Sequence, residues 1–232
     1  MTTTHNINFP PKTSLGSLYT SDECFPHARI WIGEAQGEKS LTVPPGRMLG
    51  LALRNLDTAT IVAAVKDGLS QLRSMDLSTS HFSESTLKWL LQVSDLRELR
   101  LDFLKIRQKD IQELNKLSRL ETIWLTGADI GDGELQAISA CKSVRNIVLK
   151  HTRISDAGLE CLSSLPGLEG LHLPSQISDA GLLRASKCKS LKSLDLSQTA
   201  VTDAGMSCLT ELPTLEELYV TDTNIGDSGM SR

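Results

Sequence analysis

Apolar residues recur along most of this chain at a fixed interval. Leu72, Leu96, Leu120, Val144, Leu168, Leu191 and Leu215 follow one another at spacings of 24, 24, 24, 24, 23 and 24 residues. Each opens the pattern L-x-x-L-x-L, as in Leu96-Arg97-Glu98-Leu99-Arg100-Leu101. Counting the first leucine as position 1, positions 4 and 6 are apolar in all seven copies, and a weaker copy with Met48, Leu51 and Leu53 precedes them. Alternation with polar neighbours predicts a short strand with one buried face. Position 11 is apolar again, and a helix start follows it. In Ile154-Ser155-Asp156-Ala157-Gly158-Leu159, Ser155 is placed to cap a helix and Asp156 to favour its dipole. Ile154 and Leu159 stand at the spacing of a hydrophobic staple. Leu159, Leu162 and Leu165 then share one face, and Pro166-Gly167 ends the element. One repeat is therefore strand, turn, short helix, turn. Alone it cannot bury its apolar face, so the copies must stack.

Seven in-register copies of this pattern resemble the leucine-rich-repeat superfamily. The segments Ile154–Leu159 and Ile177–Leu182, both I-S-D-A-G-L, are similar to the cysteine-containing, F-box-associated type and to repeats of many bacterial proteins. The resemblance covers residues 48–232. It implies an α/β fold, a right-handed horseshoe solenoid with a parallel sheet on the concave face and short helices on the convex face. It also implies a scaffold that binds a macromolecule, with a ubiquitin-ligase substrate receptor, a bacterial effector imitating one, or a self-associating structural scaffold as alternatives.

Residues 1–47 do not fit the repeat. Arg29-Ile30-Trp31-Ile32 and Leu41-Thr42-Val43 read as short strands around a Gly-rich turn, and Phe9, Tyr19, Phe25 and Trp31 concentrate aromatic surface there. An N-terminal β-containing cap over residues 1–47 is expected, followed by the repeat domain over 48–232. At the other end, Arg232 falls part-way through a repeat. Either the protein continues, or another chain covers the last strand's edge, which leaves a homodimer through that edge open.

Composition narrows the class. Apolar residues make up 40% of the 232-residue chain but aromatics only 4%, as suits a core of many small layers. A formal charge of −4 offers no broad basic field, so no nucleic-acid partner is expected. No secretory signal or membrane span is visible, and five cysteines without a CxxC pair fit a reducing compartment. A cytoplasmic location is therefore expected.

Most tempting chemistry has a structural explanation. Cys141, Cys161, Cys188 and Cys208 fall on helical core positions two repeats apart and read as small hydrophobes. The aspartates at position 13 (Asp132, Asp156, Asp179, Asp203, Asp227) read as helix-N-terminal anions rather than a calcium site. Gly158, Gly181, Gly205 and Gly229 leave room between stacked helices, and no phosphate-loop motif exists. Position 2 alternates in sign through Arg97, Glu121, Arg145, Glu169, Lys192 and Glu216, a stabilising ladder rather than a ligand surface. No clustered acid, base, nucleophile or metal set points to an enzyme, a metal or a cofactor.

Position 5 differs. It reads Asp76, Arg100, Trp124, Val148, His172, Asp195 and Tyr219, and it must face the concave side because positions 4 and 6 face inward. Trp124, Val148 and His172 form a stripe on adjacent strands. Arg100 and Tyr219 extend it, and Phe103, Lys150 and His151 flank it. Trp, Tyr and Arg are the preferred anchors of interfaces, so these eight residues form the expected contact site for a protein partner. Seven strands at about 4.8 Å project a face of only about 500–600 Å², below the usual ~800 Å² per partner.

Overall fold

A computed structural model describes residues 3–9, 15–22, 29–36, 38–53, 71–80 and 82–230. Cys24, Phe25, His27 and His81 lie outside the described residues. The chain packs as two compact units, residues 1–101 and 102–232.

The first unit contains β1 (Thr3–Asn8), β2 (Gly16–Asp22), β3 (Ile30–Glu34), β4 (Glu38–Val43), β5 (Arg47–Leu53), β6 (Ser74–Asp76) and β7 (Glu98–Arg100). Strands β5, β6 and β7 run parallel, with positions 3, 4 and 5 of each copy aligned. The antiparallel strand β2 pairs with β5 over seven residues, and β3 pairs with β2 on its far side. The two expected strands around the Gly-rich turn, β3 and β4, both exist but do not pair with each other. Instead β4 pairs with β1, and β3 with β2. The reason lies in β2, where Leu18, Tyr19 and Thr20 are all buried. A strand buried on both faces belongs inside a sheet, and it takes β3 as its outer neighbour.

The second unit contains β8 (Thr122–Trp124), β9 (Asn146–Val148), β10 (Gly170–His172), β11 (Ser193–Asp195) and β12 (Glu217–Tyr219), all parallel and in register. Position 4 supplies Ile123, Ile147, Leu171 and Leu194, each fully buried. Truncating one to alanine costs about 2–5 kcal/mol in a packed core. Return segments differ in type. Gln108–Glu113, Asp132–Ile138 and Asp179–Ala185 are α-helical, whereas Ala157–Ser164 and Gly205–Glu211 are 3₁₀.

The aspartate column does more than cap helices. Asp132 accepts from the backbone N–H of Ser155 at 2.8 Å and from its hydroxyl at 2.6 Å, one repeat further on. Asp156 does the same with Ser178, and Asp179 with Thr202. Asp203 accepts from the N–H of Gly226 at 2.7 Å, where no hydroxyl exists. Ser155 was expected to cap its own helix, but its hydroxyl is turned to Asp132 and the 3₁₀ segment behind it carries no side-chain cap. Ser178 does both, accepting from the N–H of Ala180 at 3.2 Å.

Glycine makes these links possible. A methyl on Gly158 would meet Oδ1 of Asp132 at 2.1 Å. Gly181, Gly205 and Gly229 stand in the same relation to Asp156, Asp179 and Asp203. The two sequence columns are thus halves of one inter-repeat joint. The charge ladder at position 2 is present where Glu169 sits between Arg145 at 2.5 Å and Lys192 at 3.0 Å.

Cys141 and Cys188 are buried, as core hydrophobes should be, but Cys161 and Cys208 are only half-buried. Their position lies on the outer half of the return segment, where helix-period reasoning overstated the inward face.

Candidate functional site

Each strand of the second unit presents position 5 away from the core, yet the stripe is uneven. Trp124 and His172 are half-buried and Tyr219 is exposed, but Val148 is only 5% exposed. In the register Val148 lies between Trp124 and His172. Buried at that place, it supports the stripe rather than presenting itself.

His172, Asp195 and Lys150 form one cluster. His172 Nδ1 lies 3.1 Å from Asp195 Oδ2, and Lys150 Nζ lies 3.2 Å from the same oxygen. Asp195 Oδ1 accepts from the N–H of Ser197 at 2.8 Å, and Lys150 also donates to the Ser197 carbonyl. Burial alone would raise the Asp195 carboxyl. The His172 and Ser197 hydrogen bonds and the Lys150 charge outweigh it and hold the group well below the usual carboxylate range. Lys150 therefore turns in to the cluster rather than out to a partner, while His172 keeps an accessible edge.

Beyond the strand ends, position 8 forms a rim of left-handed residues. Phe103, Gly127, His151, Gln198 and Asp222 have φ of 61°, 65°, 59°, 65° and 56°. Left-handed backbone costs a non-glycine residue about 1–2 kcal/mol. Phe103 is 73% exposed, so core burial does not compensate it. Its ring rests on Gly127, where an added methyl would meet the ring at 2.5 Å. His151 is exposed beside it in the column. Repeat 168–190 is one residue shorter and has no left-handed residue in this turn; the Gln176 side chain donates instead to the carbonyls of Thr152 and Ile154.

Arg100 belongs to the first unit. There its guanidinium stands 3.8 Å from Glu98, part of a cluster that sequence reasoning did not find. Arg29 pairs with Asp76 at 2.5 Å, approaches Glu98 at 3.6 Å and lies 4.2 Å over the ring of Tyr19. Tyr19 bonds Ser74, which bonds Glu98 in turn. Burial raises the Tyr19 hydroxyl and the Glu98 carboxyl. These residues come from three strands, β2, β6 and β7, and the segment before β3, so no local motif announces them.

Among the described residues no group of three or more His, Cys, Asp or Glu could hold a metal ion. No described helix is long and apolar enough to cross a membrane.

Comparison with known proteins fits this architecture. The family model described as Leucine Rich repeat matches residues 187–209 and 211–232. Internalin C2 of Listeria monocytogenes is similar over 77% of this chain and 73% of its own, with 19% identity and a TM-score of 0.52. Internalin InlF of the same organism shares 16% identity over 77% of this chain and 62% of its own, at a TM-score of 0.43. The plant peptide hormone receptor RGFR1, solved in complex with RGF2, shares 17% identity over 76% of this chain and 27% of its own, at 0.46. Curated protein sequences give no match. The matched segments are leucine-rich repeats, and the fold is that of a leucine-rich-repeat solenoid.

Proposed function

We propose that this protein is a protein-binding scaffold, and that it contacts its partner on the outward face of β8 to β12 and on the adjoining rim. Trp124, His172 and Tyr219 supply the face; Phe103 and His151 supply the rim. One observation carries this reading: Phe103 holds a strained backbone while 73% of it meets water. The ring's contact with Gly127 is small compensation for so exposed an aromatic, and strain of this kind concentrates at functional surfaces. Trp and Tyr on a rigid sheet add anchors that lose little entropy on binding. The rim also enlarges a sheet face that is small by itself.

The test is affinity capture with the wild-type chain and with Trp124→Ala and Phe103→Gly, read by quantitative mass spectrometry. A specific captured protein should be depleted at least about tenfold by both variants, corresponding to about 1.4 kcal/mol. Melting temperatures should stay within about 3 °C. Capture of the same proteins in the same amounts by all three chains refutes the site.

A further inference from the structure

On the outward face of β10, one side of the His172 ring is fixed and the other is open. Nδ1 lies 3.1 Å from Oδ2 of Asp195 on β11, and the side chain is 37% exposed. Asp195 is itself held on both oxygens. Its Oδ1 accepts from the Ser197 N–H at 2.8 Å, and Lys150 Nζ stands 3.2 Å from Oδ2. These contacts keep the carboxyl ionised. An ionised carboxylate only accepts, so Nδ1 carries the proton and the neutral ring keeps a lone pair on Nε2. The two nitrogens of an imidazole point in divergent directions. With Nδ1 turned to β11, Nε2 faces away from Asp195, and it has no hydrogen-bond partner among the described residues.

Lys150 is pinned by a second bond. Its Nζ crosses the short repeat to donate to the Ser197 carbonyl at 2.8 Å. In regular neighbours the matching carbonyl takes a backbone N–H from the preceding repeat, as Gly127 gives to Lys150 and Gln198 to Thr221, both at 2.8 Å. The ammonium therefore replaces a ladder bond and balances the charge of Asp195. Beside the lone pair the face is apolar. Val148 on β9 adjoins His172 in the register, and Trp124 on β8 adjoins Val148. The face thus runs from an indole through an aliphatic side chain to a hydrogen-bond acceptor. A neutral donor carried on a flat apolar body fits that order. With strands about 4.8 Å apart and O–H donors bonding at about 2.8 Å, a phenol ring laid over Val148 beside Trp124 brings its hydroxyl to Nε2. A phenol buried in an interface needs such a partner for its hydroxyl, and tyrosine is a preferred anchor there.

We propose that the outward face of β8 to β10 binds a tyrosine side chain presented by another polypeptide, with His172 Nε2 accepting from its hydroxyl. That the tyrosine belongs to a protein partner rests on the reading of the chain as a protein-binding scaffold; the phenol site stands on the second unit alone. His172 sets specificity on this face, and Asp195 and Lys150 are positioning residues that act through it.

The experiment titrates the full chain with N-acetyl-tyrosine amide and reads the indole N–H resonance of Trp124, assigned by its loss in Trp124→Phe. N-acetyl-O-methyltyrosine amide keeps the ring and the oxygen but cannot donate from it. N-acetyl-serine amide carries a hydroxyl donor without a ring. The tyrosine probe should give a saturable shift at about millimolar concentration. The O-methyl probe should bind at least about fivefold more weakly, the loss of one hydrogen bond. The serine probe should give no saturable shift. His172→Leu should erase the preference for tyrosine over its O-methyl analogue, and the wild-type comparison of probes stands whether or not that variant folds. Equal binding of the tyrosine and O-methyl probes, no saturable shift with tyrosine, saturable binding of serine, or a preference that survives in His172→Leu overturns the proposal. Phe103→Gly should leave the titration unchanged. No partner enters it, so failure of the phenol site and failure of the scaffold reading are told apart.

Discussion

A methyl group on Gly181 would stand 2.3 Å from Oδ1 of Asp156 in the preceding repeat, so the two residues share one space. The carboxylate fills it in order to reach the N–H and hydroxyl of Ser178 at 2.9 and 2.5 Å. Gly181→Ala should therefore destabilise the protein by about 1–3 kcal/mol, although alanine is the better helix former. Asp156→Ala should cost about 2 kcal/mol through the lost charge-assisted bonds. The double variant should cost less than the sum, because without the carboxylate the methyl is crowded only by Cγ2 of Ile177 at 2.6 Å. Urea unfolding of all four proteins checks this, and strict additivity would contradict the shared joint.

Asp195 predicts a pH dependence. Its folded-state pKa is depressed, so its stabilisation is complete above the unfolded value of about 3.9 and is lost as pH falls below it. Asp195→Asn should lower stability by about 2 kcal/mol at pH 7. The gap to wild type should narrow as pH falls below about 4. A gap that stayed constant between pH 7 and pH 3 would show that the carboxylate's charge is not what the cluster uses.

Strain at the rim separates stability from binding. His151 is exposed at φ 59°, and glycine there removes a steric penalty of about 1 kcal/mol. His151→Gly should raise the urea midpoint or leave it unchanged, while it weakens the captured partner. A clear loss of stability would show that the imidazole has a packing role.

Cysteine reactivity should follow burial. Burial pushes the thiols of Cys141 and Cys188 up to about 11, so little thiolate is present at pH 8. Among the described cysteines, iodoacetamide should label half-buried Cys208 before Cys141 and Cys188, which it should reach only in denaturant. Site-resolved mass spectrometry reads the order, and early labelling of Cys141 in the native protein would refute it.

Hydrophobic spacing made the repeating strand legible, because positions 4 and 6 obey the same packing rule in every copy. What it did not reveal lies between copies. The cap assigned to Ser155 followed local helix logic, whereas its hydroxyl serves Asp132 in the repeat before. A signal was present: each aspartate from Asp132 to Asp203 is followed 25 or 26 residues later by a glycine, as with Asp132 and Gly158 or Asp156 and Gly181. Val148 could not be read correctly, since its burial depends on the size of residues on neighbouring strands. The cluster of Arg29, Tyr19 and Glu98 joins residues up to 79 positions apart (19 to 98) with no periodic pattern. They come together through the pairing of β2 with β5, of β5 with β6 and of β6 with β7.

The repeat at 168–190 is one residue short, yet β10 still matches β9 and β11 at the same three positions. The missing residue is absorbed wholly in the turn after the strand. Length in that turn is thus uncoupled from the lattice that carries stability. Insertions and deletions there amount to interchangeable parts. A designer, or drift over generations, can exchange them one turn at a time while the underlying lattice stays in place.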